Sequence, residues 1–221
     1  WGTTTFQIHA VFEQLKALIL IGEAYGISGN ETIAGPSLEG LCYLVDSINA
    51  LESEPEESAT TDIEILTCIC DYNIFVFQGE AYCAEELEGE EEQVVGIEVD
   101  HIWNPDTGMY TYTIVPEEIA QYNIGHEYLF VYLLSCYQGR ILDDWHNAFN
   151  SSCSLGFWDR VFATPAKEFD AKIWEFVSMG LDIYNSAIIS ANIINEEAEF
   201  QEEPYILYPL IPIVNGNAHL K

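Results

Sequence analysis

The stretch Ile102-Trp-Asn-Pro-Asp-Thr-Gly-Met-Tyr-Thr-Tyr-Thr-Ile114 decides how this chain is read. Tyr110, Tyr112 and Ile114 alternate with Thr111 and Thr113, the period of a strand with one buried face. Just before them, Asn104-Pro-Asp-Thr-Gly108 puts Pro and Gly where a hairpin reversal needs them. Working outward, Val95, Ile97 and Val99, and before them Ile63, Ile65 and Ile74–Phe77, also predict strands. Tyr128, Phe130, Tyr132 and Leu134 continue the alternation, so period two governs Thr61 to Tyr137. Tyr128–Tyr137 is the most apolar run of the chain. It is about half the roughly 18–20 residues of a membrane span and suits a core strand.

Helical spacing flanks this region. Ile8, Val11, Phe12, Leu15, Leu18 and Ile19 predict a helix over residues 5–25, stopped by Gly26, Gly29 and Asn30. A second helix is expected from Leu38 to Leu51, followed by the acidic linker Glu52–Glu57. After Arg140 the pattern returns to helix. Thr164 is read as a cap with Pro165 at the first helical position. Phe169, Ile173, Phe176, Val177, Gly180, Tyr184, Ala187, Ile188, Ala191 and Ile194 then trace one continuous face. The apolar tail Tyr205–Val214 is broken by Pro209 and Pro212, which bar a central strand and place it at an edge or in a groove.

The order I-W-N-P-D-T-G-M-Y-T-Y-T-I followed by Y-N-I-G-H-E-Y-L-F-V-Y resembles immunoglobulin-like β-sandwich modules of microbial surface proteins. In those, a TG-x-Y-x-Y-x-I hairpin precedes a G-x-x-Y-x-V strand. The likeness covers about Thr61–Gly139 and implies adhesion or scaffolding rather than a particular ligand. The expected fold is therefore α+β: an Ig-like antiparallel sandwich flanked by N- and C-terminal helices, with an extended apolar tail. The segments are 1–60, 61–139, 140–203 and 204–221, which together can form one compact unit.

Thirty-seven Asp and Glu against six Lys and Arg give a formal net charge of −31. That balance argues against nucleic acid and acidic lipid, whose phosphates are bound by Lys and Arg. It also demands screening, by salt or by divalent cations. Asp100, Asn104 and Asp106, beside Gly108, are the candidate calcium ligands, although their spacing is not that of an EF-hand. The run Glu85–Glu92 is a second candidate. His9 and Glu13 share a helix face, and Asp143, Asp144 and His146 cluster beside Trp145 as a candidate hydrolytic or metal group.

Cys42, Cys68, Cys70, Cys83, Cys136 and Cys153 are even in number, so a disulfide is expected among them, with Cys68, Cys70 and Cys83 the favoured region. Cys68-Ile-Cys70 lacks the two-residue spacing of zinc and thioredoxin motifs. Asn30 and Asn150 fit the glycosylation pattern. No G-x-S-x-G, G-x-G-x-x-G or Walker motif occurs.

The chain begins at Trp1, which reads as a removed leader and an extracellular or cell-surface location. The expected role is a non-enzymatic, self-assembling subunit of a filament, tubule or coat, with copies of itself as partners. The alternative is a secreted monomer that binds a small ligand or carbohydrate, or an acid-rich hydrolase.

Overall fold

The computed structural model describes residues 17–21, 66, 69–83, 93–104, 108–201 and 209–220. Eight strands and four α-helices are found among them. In chain order these are β1 (Ala17–Ile21), β2 (Ile74–Gln78), β3 (Ala81–Cys83), β4 (Val94–Asn104), β5 (Gly108–Ile114), α1 (Pro116–Tyr122), β6 (Phe130–Leu134), α2 (Leu142–Phe149), β7 (Cys153–Phe157), α3 (Ala163–Ser178), α4 (Ile183–Gln201) and β8 (Pro212–Gly216).

Helices and two sheets combine, as the α+β expectation has it, but the strands do not form an antiparallel sandwich. The larger sheet has the order β1-β2-β6-β7-β8. In it β1, β2, β6 and β7 are mutually parallel and β8 alone is antiparallel. The smaller sheet, β3-β4-β5, is antiparallel and holds the expected hairpin, with Trp103 opposite Met109 and Asn104 opposite Gly108.

The physical reason lies in the apolar runs. β2 reads Ile-Phe-Val-Phe-Gln and β6 reads Phe-Val-Tyr-Leu-Leu, and every residue of both is buried. Strands of a parallel sheet are covered on both faces and carry near-continuous apolar sequence. The residues between the alternating ones in β6, Val131 and Leu133, are themselves apolar, so period two was never selective there. Ile74, Val76, Phe130, Tyr132, Leu155 and Phe157 face α3 and α4, where Phe169, Ile173, Trp174, Val177 and Ala187 meet them. Phe75, Phe77, Val131 and Leu133 face the opposite side, with Trp145, Phe149, Ile119, Ile97 and Ile114.

Further expectations are corrected. Ala17–Ile21 is a strand, not part of a helix; a wholly apolar run satisfies helix and strand templates alike. The helix expected over 38–51, the strand at Ile63 and Ile65 and the acidic run Glu85–Glu92 lie outside the described residues. β7 falls where helix was expected. The single long C-terminal helix is two, parted at Met179-Gly180, where Gly180 has φ +94°. Thr164 lies inside α3, whose N-cap is Phe162 with no side-chain cap bond. Of the tail, Pro212–Val214 lie antiparallel to β7 in the edge strand β8, with Pro212 at its first position, and residues 205–208 lie outside the described residues. The larger sheet takes strands from all four sequence segments. Among the described residues, no helix is long and apolar enough to cross a membrane.

Candidate functional site

In an open α/β sheet, ligands sit in the crevice beyond the carboxyl ends of parallel strands, where loops diverge from fixed backbone. Here β2, β6 and β7 end side by side. Gln78, the last residue of β2, pairs with Leu134, the last of β6, and Gly79 N–H donates to the Leu134 carbonyl at 3.4 Å. Ser135-Cys136-Tyr137 follows β6 and Trp158-Asp159-Arg160-Val161 follows β7.

These two loops are laced together. Tyr137 N–H donates to the Asp159 carbonyl (3.2 Å), and Val161 N–H to Cys136 Sγ (3.3 Å). Arg140 Nε–H donates to the Trp158 carbonyl (3.1 Å), and Arg160 Nε–H to the Tyr137 hydroxyl (2.5 Å). The Arg140 guanidinium lies 4.4 Å from the Tyr137 ring centroid and 5.9 Å from that of Trp158, a cation–π arrangement.

The turn is held from below. Tyr137 adopts φ +61°, a left-handed conformation that only surrounding contacts sustain in a bulky residue. Gln138 is fully buried; its Nε2 donates to the Gly96 carbonyl at 2.6 Å, and its Oε1 accepts from Trp145 Nε1 at 2.7 Å.

Behind the edge, between the sheet and α3, Asp170 is fully buried. Gln78 Nε2 donates to its Oδ2 at 3.3 Å and Trp174 Nε1 to its Oδ1 at 3.1 Å. Tyr132 is buried too, and its phenol pKa is pushed well up, first by desolvation and then by the Asp170 charge. Gln78 Oε1 and Ser135 Oγ are buried acceptors that the described residues leave without a hydrogen bond. Gln78 and Ser135 are 1% and 2% exposed, so ordinary surface solvation does not reach them.

The residues singled out from sequence lie elsewhere. Asp100 and Asn104 are on β4, four residues and about 13 Å apart along it; Asp106, His9 and Glu13 lie outside the described residues. Asp143 and Asp144 are exposed on α2, where Asp143 accepts from Asn215 Nδ2 at 2.7 Å. His146 turns away from them: its Nδ1 meets Ser151 Oγ (3.1 Å) and Ser154 Oγ (3.2 Å). Among the described residues, no three His, Cys, Asp or Glu gather as a metal centre requires.

Cys70, Cys83, Cys136 and Cys153 are thiols rather than disulfides; Cys42 and Cys68 lie outside the described residues, as does Asn30. Asn150 is exposed at the end of α2. Sequence reasoning missed Gln78, Ser135, Arg140, Arg160 and Asp170. A signal was present, since the apolar runs Ile74–Phe77 and Phe130–Leu134 both lead into Gln-Gly, at 78–79 and at 138–139.

No protein-family model matches the chain, and no curated protein matches it.

Proposed function

We propose that this chain is a binding protein that takes a small ligand at the carboxyl edge of its parallel sheet. The observation that carries this reading is that two side chains at this edge, Gln78 at the end of β2 and Ser135 just after β6, are each buried with an acceptor that the described residues leave unengaged. Buried polar groups are expensive to leave unmade, so a site that keeps them is a site that uses them. The reading replaces the self-assembling subunit anticipated above. Within the apolar tail, Pro212–Val214 pair with β7 of the chain's own sheet.

A thermal-shift screen of small polar molecules at fixed ionic strength, run on the native chain and on Ser135→Ala, tests it. Among the described residues Ser135 Oγ supports no bond, so the variant should melt with the native chain yet lose ligand-induced stabilisation. A variant that binds every hit as the native chain does would sink the proposal.

A further inference from the structure

Resting on that reading, the geometry points to an oxyanion, a carboxylate or a phosphate on the ligand, with Arg140 as the residue that selects it. The chain has six basic residues in 221, and its net charge of −31 repels anions at long range. Yet both of its arginines, Arg140 and Arg160, stand on the two laced loops at this edge, and both touch Tyr137. That placement brings two positive charges, with Asp159 beside them, to one edge of a strongly acidic chain.

Arg140 is also set in position before any ligand arrives. Its backbone N–H closes the turn onto the Tyr137 carbonyl at 2.9 Å, and Gly139 beside it packs directly on the Phe157 backbone. Its Nε is fixed by the Trp158 carbonyl, and its plane is fixed by the Tyr137 and Trp158 rings. The fold therefore engages Nε and the π face, while the side chain as a whole remains exposed. The outward edge of the guanidinium carries paired N–H donors in the fork that matches two oxygens of a carboxylate or phosphate. An arginine already immobilised loses little further entropy on binding, which is the usual cost of using so long a side chain.

Trp158, 48% exposed, lies beside the guanidinium and reports on it. The test is a fluorescence and thermal-shift titration at constant ionic strength with succinate, inorganic phosphate and the neutral succinamide. It is run on the native chain, on Arg140→Gln, on Arg140→Lys and on Ser135→Ala. Succinate or phosphate should bind with at least about tenfold preference over succinamide, and Arg140→Gln should erase that preference. Arg140→Lys, a point charge without the fork, should restore it only in part; which anion binds tighter tells carboxylate from phosphate. Equal anion binding by Arg140→Gln, or no anion binding by the native chain, overturns the inference. If succinamide binds as well as succinate and that binding is lost in Ser135→Ala, the ligand site stands and its anion selectivity falls.

Discussion

Gly139 stands against Phe157 with no room for a side chain. A Cβ on Gly139 would come within 2.7 Å of the Phe157 carbonyl carbon and 2.9 Å of its oxygen. Both neighbours are backbone of β7, a strand buried along its length, so neither can swing aside. Gly139→Ala should therefore push the 138–141 turn off the sheet and cost about 1–3 kcal/mol, the usual range for overpacking. Urea denaturation measures the loss, and Arg140 should move with the turn. A variant as stable as the native chain would mean that β7 does not fix the turn.

How far the sequence reveals this fold depends on what each pattern could discriminate. The β4–β5 hairpin was legible because Thr111 and Thr113 are polar between apolar neighbours and because Asn104–Gly108 is turn chemistry. β6 was legible as a strand but not as a parallel one. Val131 and Leu133 fill the positions where a half-exposed strand would carry polar groups. β7 reads Cys-Ser-Leu-Gly-Phe, and nothing local marks it. Its Gly156 is explained only by the close approach of Gln138 and Gly139. The site was hidden for the same reason. Gln78, Ser135, Arg140 and Arg160 lie up to 82 residues apart, and parallel pairing, whose partners no local pattern names, is what unites them.

Asp170 joins α3 to β2 through Gln78 and to its own helix through Trp174. Asp170→Ala would leave two buried N–H donors without their acceptor, and each such loss costs about 1–3 kcal/mol. Asp170→Asn keeps the shape and one acceptor and should cost less. Chemical denaturation of the two variants side by side gives the ranking. Equal stability for both would show that the carboxylate position is not what holds Gln78.

The thiols should separate by reactivity. Cys153 is fully buried, and its pKa is pushed up to about 12, chiefly by desolvation, with the Ala218 backbone opposing and the Asp182 charge adding to the rise. Cys70 is exposed, and among the described residues its Sγ bonds to the Tyr122 carbonyl at 3.2 Å and to Asn123 Oδ1 at 4.0 Å. At pH 8, alkylation followed by mass mapping should modify Cys70 in the native chain and leave Cys153 intact until the chain unfolds. Because the native state holds the Cys153 proton more tightly than the unfolded one, its contribution to stability is whole below pH 9.0 and lost as pH rises toward 12. Rapid native labelling of Cys153 would contradict both statements.

Asp182 caps α4. Its Oδ1 accepts from Asn185 N–H at 2.9 Å and its Oδ2 from Asn185 Nδ2 at 2.7 Å. The Asn185 backbone bond, ahead of the smaller effects, holds its pKa below the usual carboxylate value. A lowered pKa means stability present above the unfolded value and lost as pH falls through the folded one, so the cap should weaken below about pH 4. Asp182→Ala should cost about 1 kcal/mol at neutral pH and less in acid. Thermal melts of both proteins across that range check the sign. A difference that grows on acidification would refute it.

The C-terminal residues are core, not appendage. Leu220 is fully buried, and Leu210 and Ala218 are nearly so, all three in the cluster that α3 and α4 form with the sheet. Beyond β8, Ala218 accepts from Ile183 N–H at 3.0 Å, and Asn195 holds Leu210 through both its amide groups, at 3.0 and 2.9 Å. These contacts fix the start and the fourth turn of α4 from the tail side. Leu220→Ala should therefore cost about 2–5 kcal/mol, the range for truncating a buried leucine where the surroundings cannot collapse. Removing residues 209–221 would also strip β7 of its antiparallel partner and should leave a chain that does not fold cooperatively. Circular dichroism melts decide it: a truncated chain with a sharp native-like transition would show that β8 is dispensable and that the sheet closes without it.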